Sequence, residues 1–570
     1  MIGRAEFCRQ LRERLLADRT KVRLRIAVSP NFDAPVEFSG LQLVEVAEKL
    51  ASSFDVQKER AVVLLLLPHS PELFLLQLGL VLKGHIPAIL AWPTNRVDPE
   101  KYQRNLIHQL SHLPADQLLT TPELARNLAQ NLPYAVSAVP LGTESLFGKV
   151  SVSAITGTGP REQRHSREVS TPGEDALFLQ FSGGTTGAQK AIVVTASMLH
   201  EQLERLAQTL QFATEDSVVS WLPLYHDMGL IACYWLPLWR GSTSTQMASS
   251  DWILNPELLL KYVSRYGASF CWLPNFAFSY LAQRRELMRD AHGLEGMRAW
   301  INCSEPVRRK SVEEFVDAFA DWGVRRESLH ACYAMAETVF AITQSQLGEA
   351  LPIAARNSMK HEKNGYADLS FDLIDAVYVS SGKPLANTEI KIVAADGSHC
   401  REMTAGEICV RTPSLFSGYW SNEGFQTYSL QNGWHATGDY GFLANGELFV
   451  IGRLKDIVIV GGNNIFPEDV EAVVNTIPGV YPGRVVVFGV DDEEYGTQSL
   501  VVIAEMQNGY TDERVMELEA AIRKLVLAAI GTAPRHVAVV ASPWIVKSTA
   551  GKISRRETRE RFLREKLAAI

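Results

Sequence analysis

Between Leu179 and Thr195 the chain reads LQFSGGTTGAQKAIVVT: an apolar run, a loop of small residues with one lysine, and a second β-branched run. Ser182, Gly183, Gly184, Thr185, Thr186 and Gly187 leave backbone N–H groups free to turn toward an anion, and their hydroxyls add donors. Lys190 adds a point charge. That is the chemistry of a phosphate cradle. Taken alone, the stretch serves equally well as a Gly/Thr-rich hairpin turn. It is no Walker loop, because no Gly-Lys-Ser/Thr follows at the required spacing and the next element reads as a strand.

Three further stretches carry chemistry. ACYAMAETVF places Tyr333, whose face can stack on a flat ring, before Glu337, a candidate Mg2+ ligand. The same residues also read as an ordinary helix start. HATGDYGFLANGELFVIGRLKD sets Asp439 after one glycine and Arg453 after another. A carboxylate at a tight turn can accept both hydroxyls of a ribose, and an arginine fork can hold polar edges; Asp439 by itself is equally a turn residue. KSTAGKISRRE puts Lys552 on a glycine-containing loop, where a lone lysine is ordinarily solvated.

The elements that must position these groups follow from periodicity. From about Leu41, helix-like and strand-like segments alternate, as in LQLVEVAEKLASSF, AVVLLLL and PELFLLQLGLVLKG, which predicts a parallel, helix-covered α/β sheet. Leu199, Leu203, Leu206 and Leu210 fall on one face of a predicted helix. Near Gly452 the character changes to short strands (IVIV, RVVVFGV, SLVVIAEM, HVAVV) and two helices, one of them over Thr511–Ile530 with Val515, Leu518, Ile522 and Leu525 on one face. We therefore expect a large α/β domain over 1–453 and a small α+β domain over 454–570, joined through the charged GRLKDIVIV. A plain interdomain linker is the bland reading of that join.

A chain of 570 residues is too long for one core, and its net charge of −8 with no basic stripe excludes a general nucleic-acid binder. Seven scattered cysteines without a C-x-x-C pair argue against a disulfide framework or zinc site and fit a cytoplasmic protein. The start, MIGRAEFCRQLRERLL, has no apolar signal core, and the greasiest run, Ala61–Pro68, is too short to span a bilayer, so no stable membrane insertion is expected.

In this order, the pieces resemble the adenylate-forming superfamily of acyl-CoA synthetases, firefly luciferase and peptide-synthetase adenylation domains. Within it they are most similar to the fatty acyl-AMP ligase branch, on SWLPLYHDMGLI (Ser220–Ile231), PNFAFSYLAQR (Pro274–Arg284), NCSEPVR (Asn302–Arg308), CYAMAET (Cys332–Thr338) and GELFVIGRLKDIVIVGGNNIFPEDVE (Gly446–Glu471). The likeness runs from about Val44 to Arg556. It implies an enzyme that uses ATP and Mg2+ to turn a carboxylic acid into an acyl-AMP. Ser182, Gly184, Thr185, Thr186, Gly187 and Lys190 would wrap the β- and γ-phosphates, with Ser304, Glu305 and Pro306 along the adenine and Tyr333 against its face. Glu337 would hold Mg2+, Asp439 and Arg453 the ribose hydroxyls, and His226 would sit close to the carboxylate being activated. Lys552, on a mobile C-terminal lid, would reach the carboxylate and α-phosphate, and Lys455 would be the hinge about which that lid turns. The sequence departs from the usual pattern at Gly183, Gln189, Ala191 and Ala334, none of which removes a charge.

The branch implies transfer of the acyl group to the phosphopantetheine thiol of an acyl carrier protein of a polyketide or peptide synthase. It also implies an inserted segment, for which 344–376 is the candidate; an ordinary long loop fits that composition equally. Transfer to CoA is the alternative. Among the aromatic residues around the motifs, Trp235, Phe276 and Phe278 are the expected acyl pocket, and the abundance of tryptophan suggests a narrow one taking a medium-chain acid. The arginine-rich tail reads first as a solvated helix. Two other classes stay open on the sequence: an adenylate-binding protein without turnover, and a nucleotide hydrolase, which the missing Walker loop disfavours.

Overall fold

The structure, a computed structural model, describes all residues except 1, 55, 57, 94–101, 103–105, 108, 111–112, 129–131, 133, 143–145, 147–153, 156–172, 182–190, 289–291, 356–376, 422–423, 461–462, 493–496, 508, 510, 548–552 and 568–570. The apolar run after Arg60 shows how the sequence builds the main layers. It forms the strand Val62–Leu66, paired in parallel with Ile86–Ile89 on one side and Gln117–Thr120 on the other. Val63 and Leu65 enter a large core shared with helices Gly40–Ser52 and Pro71–Lys83, while Val62, Leu64 and Leu66 enter a second core with Leu110, Leu118 and Leu128. A strand buried on both faces has no polar side, which is why the run is continuous.

That strand belongs to a nine-stranded sheet whose parallel centre is flanked by antiparallel edges; the strands bordering the expected phosphate loop, Ala176–Phe181 and Ala191–Thr195, are members of it. A second nine-stranded sheet holds Ser217–Ser220, Phe270–Leu273, Ala299–Cys303 and Leu329–Ala334, parallel to one another. Both sheets contribute to the same large core. The predicted leucine stripe lies in the helix Ala196–Thr209 and its C-cap, with all four leucines fully buried and the Thr195 hydroxyl accepting the Met198 N–H at 3.3 Å as N-cap.

A four-stranded antiparallel sheet follows, comprising Glu389–Val393, Gly406–Arg411, His435–Ala444 and Glu447–Arg453. The smaller C-terminal part then has its own core around a three-stranded sheet of Val480–Asp492, Thr497–Met506 and His536–Ala541. The helix predicted at Thr511 runs Asp512–Ile530 with Thr511 as N-cap and Gly531 at φ +74° as C-cap; Leu518 and Ile522 are buried, Val515 and Leu525 partly so. The last helix, Arg555–Leu567, pairs Arg556 with Glu560 at 2.9 Å and Arg561 with Glu565 at 2.7 Å, yet it is not simply solvated: Arg555 bonds Glu468 and Glu471, Arg559 donates to the Gly489 carbonyl at 3.0 Å, and Thr558 is fully buried. In the candidate insertion, Ile353–Ala355 pairs with Val377–Val379, and 356–376 lie outside the described residues. Among the described residues no helix is long and apolar enough to cross a membrane.

Candidate active site

The tightest constellation joins three segments far apart in sequence. Asp439 and Arg453 are partners across adjacent antiparallel strands, with Arg453 Nε 3.2 Å from Asp439 Oδ1. Tyr333, near the end of strand Leu329–Ala334 of the second nine-stranded sheet, donates its hydroxyl to Asp439 Oδ2 at 2.6 Å. The Asp439 N–H donates to the Thr437 hydroxyl at 3.1 Å. Burial pushes the Asp439 carboxyl up, while Arg453 and the Tyr333 hydroxyl hold it back. Burial and the neighbouring Asp439 also push the Tyr333 hydroxyl well up. Asp439 is 7% exposed but the Arg453 side chain is 51% exposed, so the corner keeps donors and lone pairs turned outward.

Glu337 sits on the short 3-10 turn Ala336–Thr338, and its backbone carbonyl accepts the Phe416 N–H at 2.8 Å. Burial raises its carboxyl, and the charges of Asp227 and Asp439 add to the rise while Arg453 opposes it. Asp227, Glu337, Asp439 and Arg453 thus share one electrostatic neighbourhood. Beside it, His226 Nδ1 lies 2.6 Å from Asp227 Oδ1, and both atoms face the Met228 N–H, at 3.3 and 2.8 Å respectively. Asp227 caps the π-helix Met228–Trp235, a wide-turned element common at functional sites. Ser304 takes a left-handed φ of +73° where the chain leaves strand Ala299–Cys303, and its hydroxyl lies 3.9 Å from the Met228 sulfur. The Ser304 segment and the His226 segment therefore touch.

Glu305 is differently employed: its carboxylate accepts the Phe276 N–H at 3.0 Å and so anchors the helix Asn275–Ala282. Pro306 follows in the same turn toward the helix Arg309–Phe319. Lys455 occupies the turn Leu454–Asp456; burial and Arg453 push its ammonium down, while Asp456 and Asp439 favour its charge. Ser182, Gly184, Thr185, Thr186, Gly187 and Lys190 lie outside the described residues, as does Lys552. The residues on either side of 182–190 are nonetheless placed. Phe181 pairs with Ala191, and the Gln180 amide donates to the Val339 carbonyl at 3.1 Å, two residues from Glu337.

The three expected acyl-pocket residues do not gather. Phe276 packs edge-on against Trp221 and Trp252, which stack face to face at 4.0 Å, and Glu305 joins it to the segment after strand Ala299–Cys303. Trp235 is fully buried in the core between the sheets, stacked on Phe178 at 5.8 Å, and Phe278 is fully buried edge-on to Phe315 at 5.2 Å. Sequence reasoning left Asp227, Thr437 and Gln180 out of the site. Gln180 carried a signal, a polar residue inside the apolar strand Ala176–Phe181.

The family model described as AMP-binding enzyme matches residues 19–420. The medium-chain-fatty-acid--[acyl-carrier-protein] ligase JamA of Moorena producens is 27% identical over 551 residues, covering 92% of this chain and 90% of that protein. The long-chain-fatty-acid--AMP ligase FadD26 of Mycobacterium marinum is 28% identical over 449 residues, 72% of this chain and 74% of its own length. Among solved structures, a fatty acyl-adenylate ligase from a study of the E. coli and L. pneumophila enzymes superposes with a TM-score of 0.80 at 21% identity, over 99% of this chain and 98% of that one.

Proposed function

The chain belongs to the AMP-binding enzyme family, whose members activate acids with ATP through an acyl-adenylate, and we propose that it is a fatty acyl-AMP ligase. The observation that carries this reading is the hydrogen-bonded corner of Tyr333, Asp439 and Arg453, set in one electrostatic neighbourhood with Glu337 and Asp227. In the proposed reaction a carboxylate oxygen of the acid attacks the α-phosphorus of ATP, forming the new P–O bond as the bond to pyrophosphate breaks. Two anions must meet, so holding them in line and placing cations around them matters more than proton transfer. Asp439 and Arg453 orient the ribose, Tyr333 covers the adenine, and His226 stands by the incoming carboxylate. Ser182, Gly184, Thr185, Thr186, Gly187 and Lys190 hold the departing phosphates, and Ser304, Glu305 and Pro306 border the adenine. Lys552 comes in on a lid, 454–570, that pivots at Lys455.

Glu337 fits Mg2+, since it is a buried carboxylate whose like-charged neighbour Asp227 leaves negative charge to be met. Among the described residues no group of three or more ligating side chains could hold a metal alone, so the ion would be shared with ATP oxygens and water. When bound, it neutralises phosphate charge. For the acid, the Trp221–Trp252–Phe276 cluster supports a medium-length chain, with Phe276 the expected contact and Trp235 and Phe278 behind it. For the acceptor we favour a carrier-protein thiol, supported by the similarity to JamA, a ligase of the acyl carrier protein. We place the protein in the cytoplasm, where its seven free cysteines would stay reduced.

The test is pyrophosphate release from ATP and Mg2+ across C4 to C18 fatty acids, aryl acids and amino acids, with acyl-AMP followed with and without CoA. Acid-dependent release and acyl-AMP that persists beside CoA is the expected result. Rapid acyl-CoA formation would make the protein a CoA ligase, and release without any acid would make it a hydrolase. A palmitate-length optimum would defeat the narrow-pocket reading.

A further inference from the structure

Helix Pro467–Val474 carries Glu468, Asp469 and Glu471, and the turn Leu454–Asp456 brings Asp456 to the same place. One guanidinium, that of Arg555, serves three of these carboxylates. It bonds Glu471, donates to Glu468 at 2.8 Å and lies 3.7 Å from Asp456, and it also donates to the Val487 carbonyl at 3.3 Å. The four side chains of this knot are between 14% and 25% exposed, so water does little to screen them. Glu471 has its carboxyl pushed up by burial and by Glu468 beside it, against the pull of Arg555. A cluster built this way is short of positive charge.

The missing charge comes from the large domain. Arg308 lies 3.7 Å from Asp469 and also eases the charge on Glu471. Its backbone N–H donates to Asn275 Oδ1 at 3.0 Å, and the same oxygen accepts the Asn302 amide at 2.9 Å. Arg308 is thus fixed at its base to the strand that ends at Cys303 and to the start of the Phe276 helix. Elsewhere the two parts meet less closely: a cavity of about 360 Å³ separates Tyr280, Gln283 and Arg284 from Tyr481, Pro482 and Gln507.

We propose that Arg308 is a positioning residue that latches helix Pro467–Val474 to the adenine-side segment, holding the C-terminal part in one of two working orientations. The second orientation rests on the ligase reading above, in which the lid must turn between adenylation and transfer. An isolated exposed ion pair contributes little. This one completes the charge balance of a partly buried knot, so its loss is felt through Glu471 and Arg555 up to Asp456, next to the proposed hinge Lys455.

The experiment measures orientation and chemistry separately. Leu287→Cys on the large domain and Met516→Cys on the C-terminal part, 76% and 71% exposed in the parent, take spin labels in a Cys400→Ser background, and double electron–electron resonance reads their distance without substrate. Wild-type Arg308 is expected to give one dominant distance. Arg308→Gln is expected to add a second population, and Arg308→Lys to restore the first. In rapid-quench assays Arg308→Gln should change the ratio of acyl-AMP formation to transfer onto pantetheine about five- to tenfold, the two rates moving in opposite directions. A melting temperature within a degree or two of wild type checks folding. Unchanged distances overturn the proposal, as does a Gln variant whose two half-reactions slow alike. If the parent makes no acyl-AMP, the ligase reading falls, and the distance distribution still decides whether Arg308 is a latch.

Discussion

Two carboxylate–arginine groupings lie on either side of Lys455, and they are built differently. At the first, Asp439 is balanced by Arg453 and the Tyr333 hydroxyl, and half of the Arg453 side chain still faces solvent. At the second, Arg555 is enclosed by Glu468, Glu471 and Asp456; its terminal nitrogens donate to Glu471, Glu468 and the Val487 carbonyl, while its buried Nε only faces Asp456 at 3.7 Å. Burial raises the carboxyl at the centre of each. The difference is in what is left over. The Asp439 corner opens to solvent through Arg453 and can meet a ligand, whereas the Arg555 knot is enclosed and short of positive charge. The first can bind; the second can only hold.

Mutation should separate the two. The largest effect is expected from Asp439→Ala, which removes the acceptor for two ribose hydroxyls. At about 1.5–3 kcal/mol per charged hydrogen bond, acyl-AMP formation should fall roughly 10²- to 10⁴-fold, read as pyrophosphate release, and the unpaired Tyr333 hydroxyl should lower stability in urea by about 1–3 kcal/mol. At the knot the order reverses. Arg555→Met strands buried carboxylates and should cost about 3–5 kcal/mol in urea unfolding, followed through Trp544 of the C-terminal part, whereas Arg453→Met should weaken ATP binding and leave that transition alone. Equal destabilisation by the two methionine variants would erase the distinction.

Acid should act on the binding corner through Glu337. Its carboxyl is raised by burial and by its acidic neighbours, so the ionised form needed for Mg2+ is lost as pH falls through a value above the ordinary carboxylate range. The acid limb of kcat/KM should lie correspondingly high, and in Glu337→Gln the dependence on Mg2+ concentration should weaken. The smallest effect belongs to stability. Burial lowers His330 and His435 to about 4, below the ordinary value of 6.5. Their unfolded forms take protons first, so the stability they contribute is complete above pH 6.5 and is lost as pH falls from there toward 4. His330→Gln should make that slope shallower in urea melts run at successive pH values.

Much of this architecture was legible because it is periodic. The leucines of helix Ala196–Thr209 and the continuous apolar strand Val62–Leu66 declare their burial by spacing alone. Tyr333, Asp439 and Arg453 could each be suspected from residue type, yet the hydroxyl–carboxylate bond between Tyr333 and Asp439 could not, since 106 residues separate them. Aromatic content is ambiguous for a physical reason: a ring packed in the core and a ring lining a pocket are the same residue in sequence, and the structure buries Trp235 and Phe278 among other rings, apart from Phe276. Glu305 likewise shows no sign in sequence that a backbone N–H occupies its carboxylate. Arg308 lay inside a quoted motif, and only its nearness to Asp469 gives it a part.

The separation of Tyr333 from Asp439 also sets an order in time. At synthesis rates of about 5–20 residues per second, the 106 residues between them take roughly 5–20 s to emerge. During that interval the strand bearing Tyr333 is complete while its acceptor does not yet exist. A chain halted between the two positions would own the tyrosine and the strands around it but not the Asp439–Arg453 half of the corner. On the proposed function, the part of nucleotide recognition that falls to this corner therefore comes last, after the strands His435–Ala444 and Glu447–Arg453 have been made.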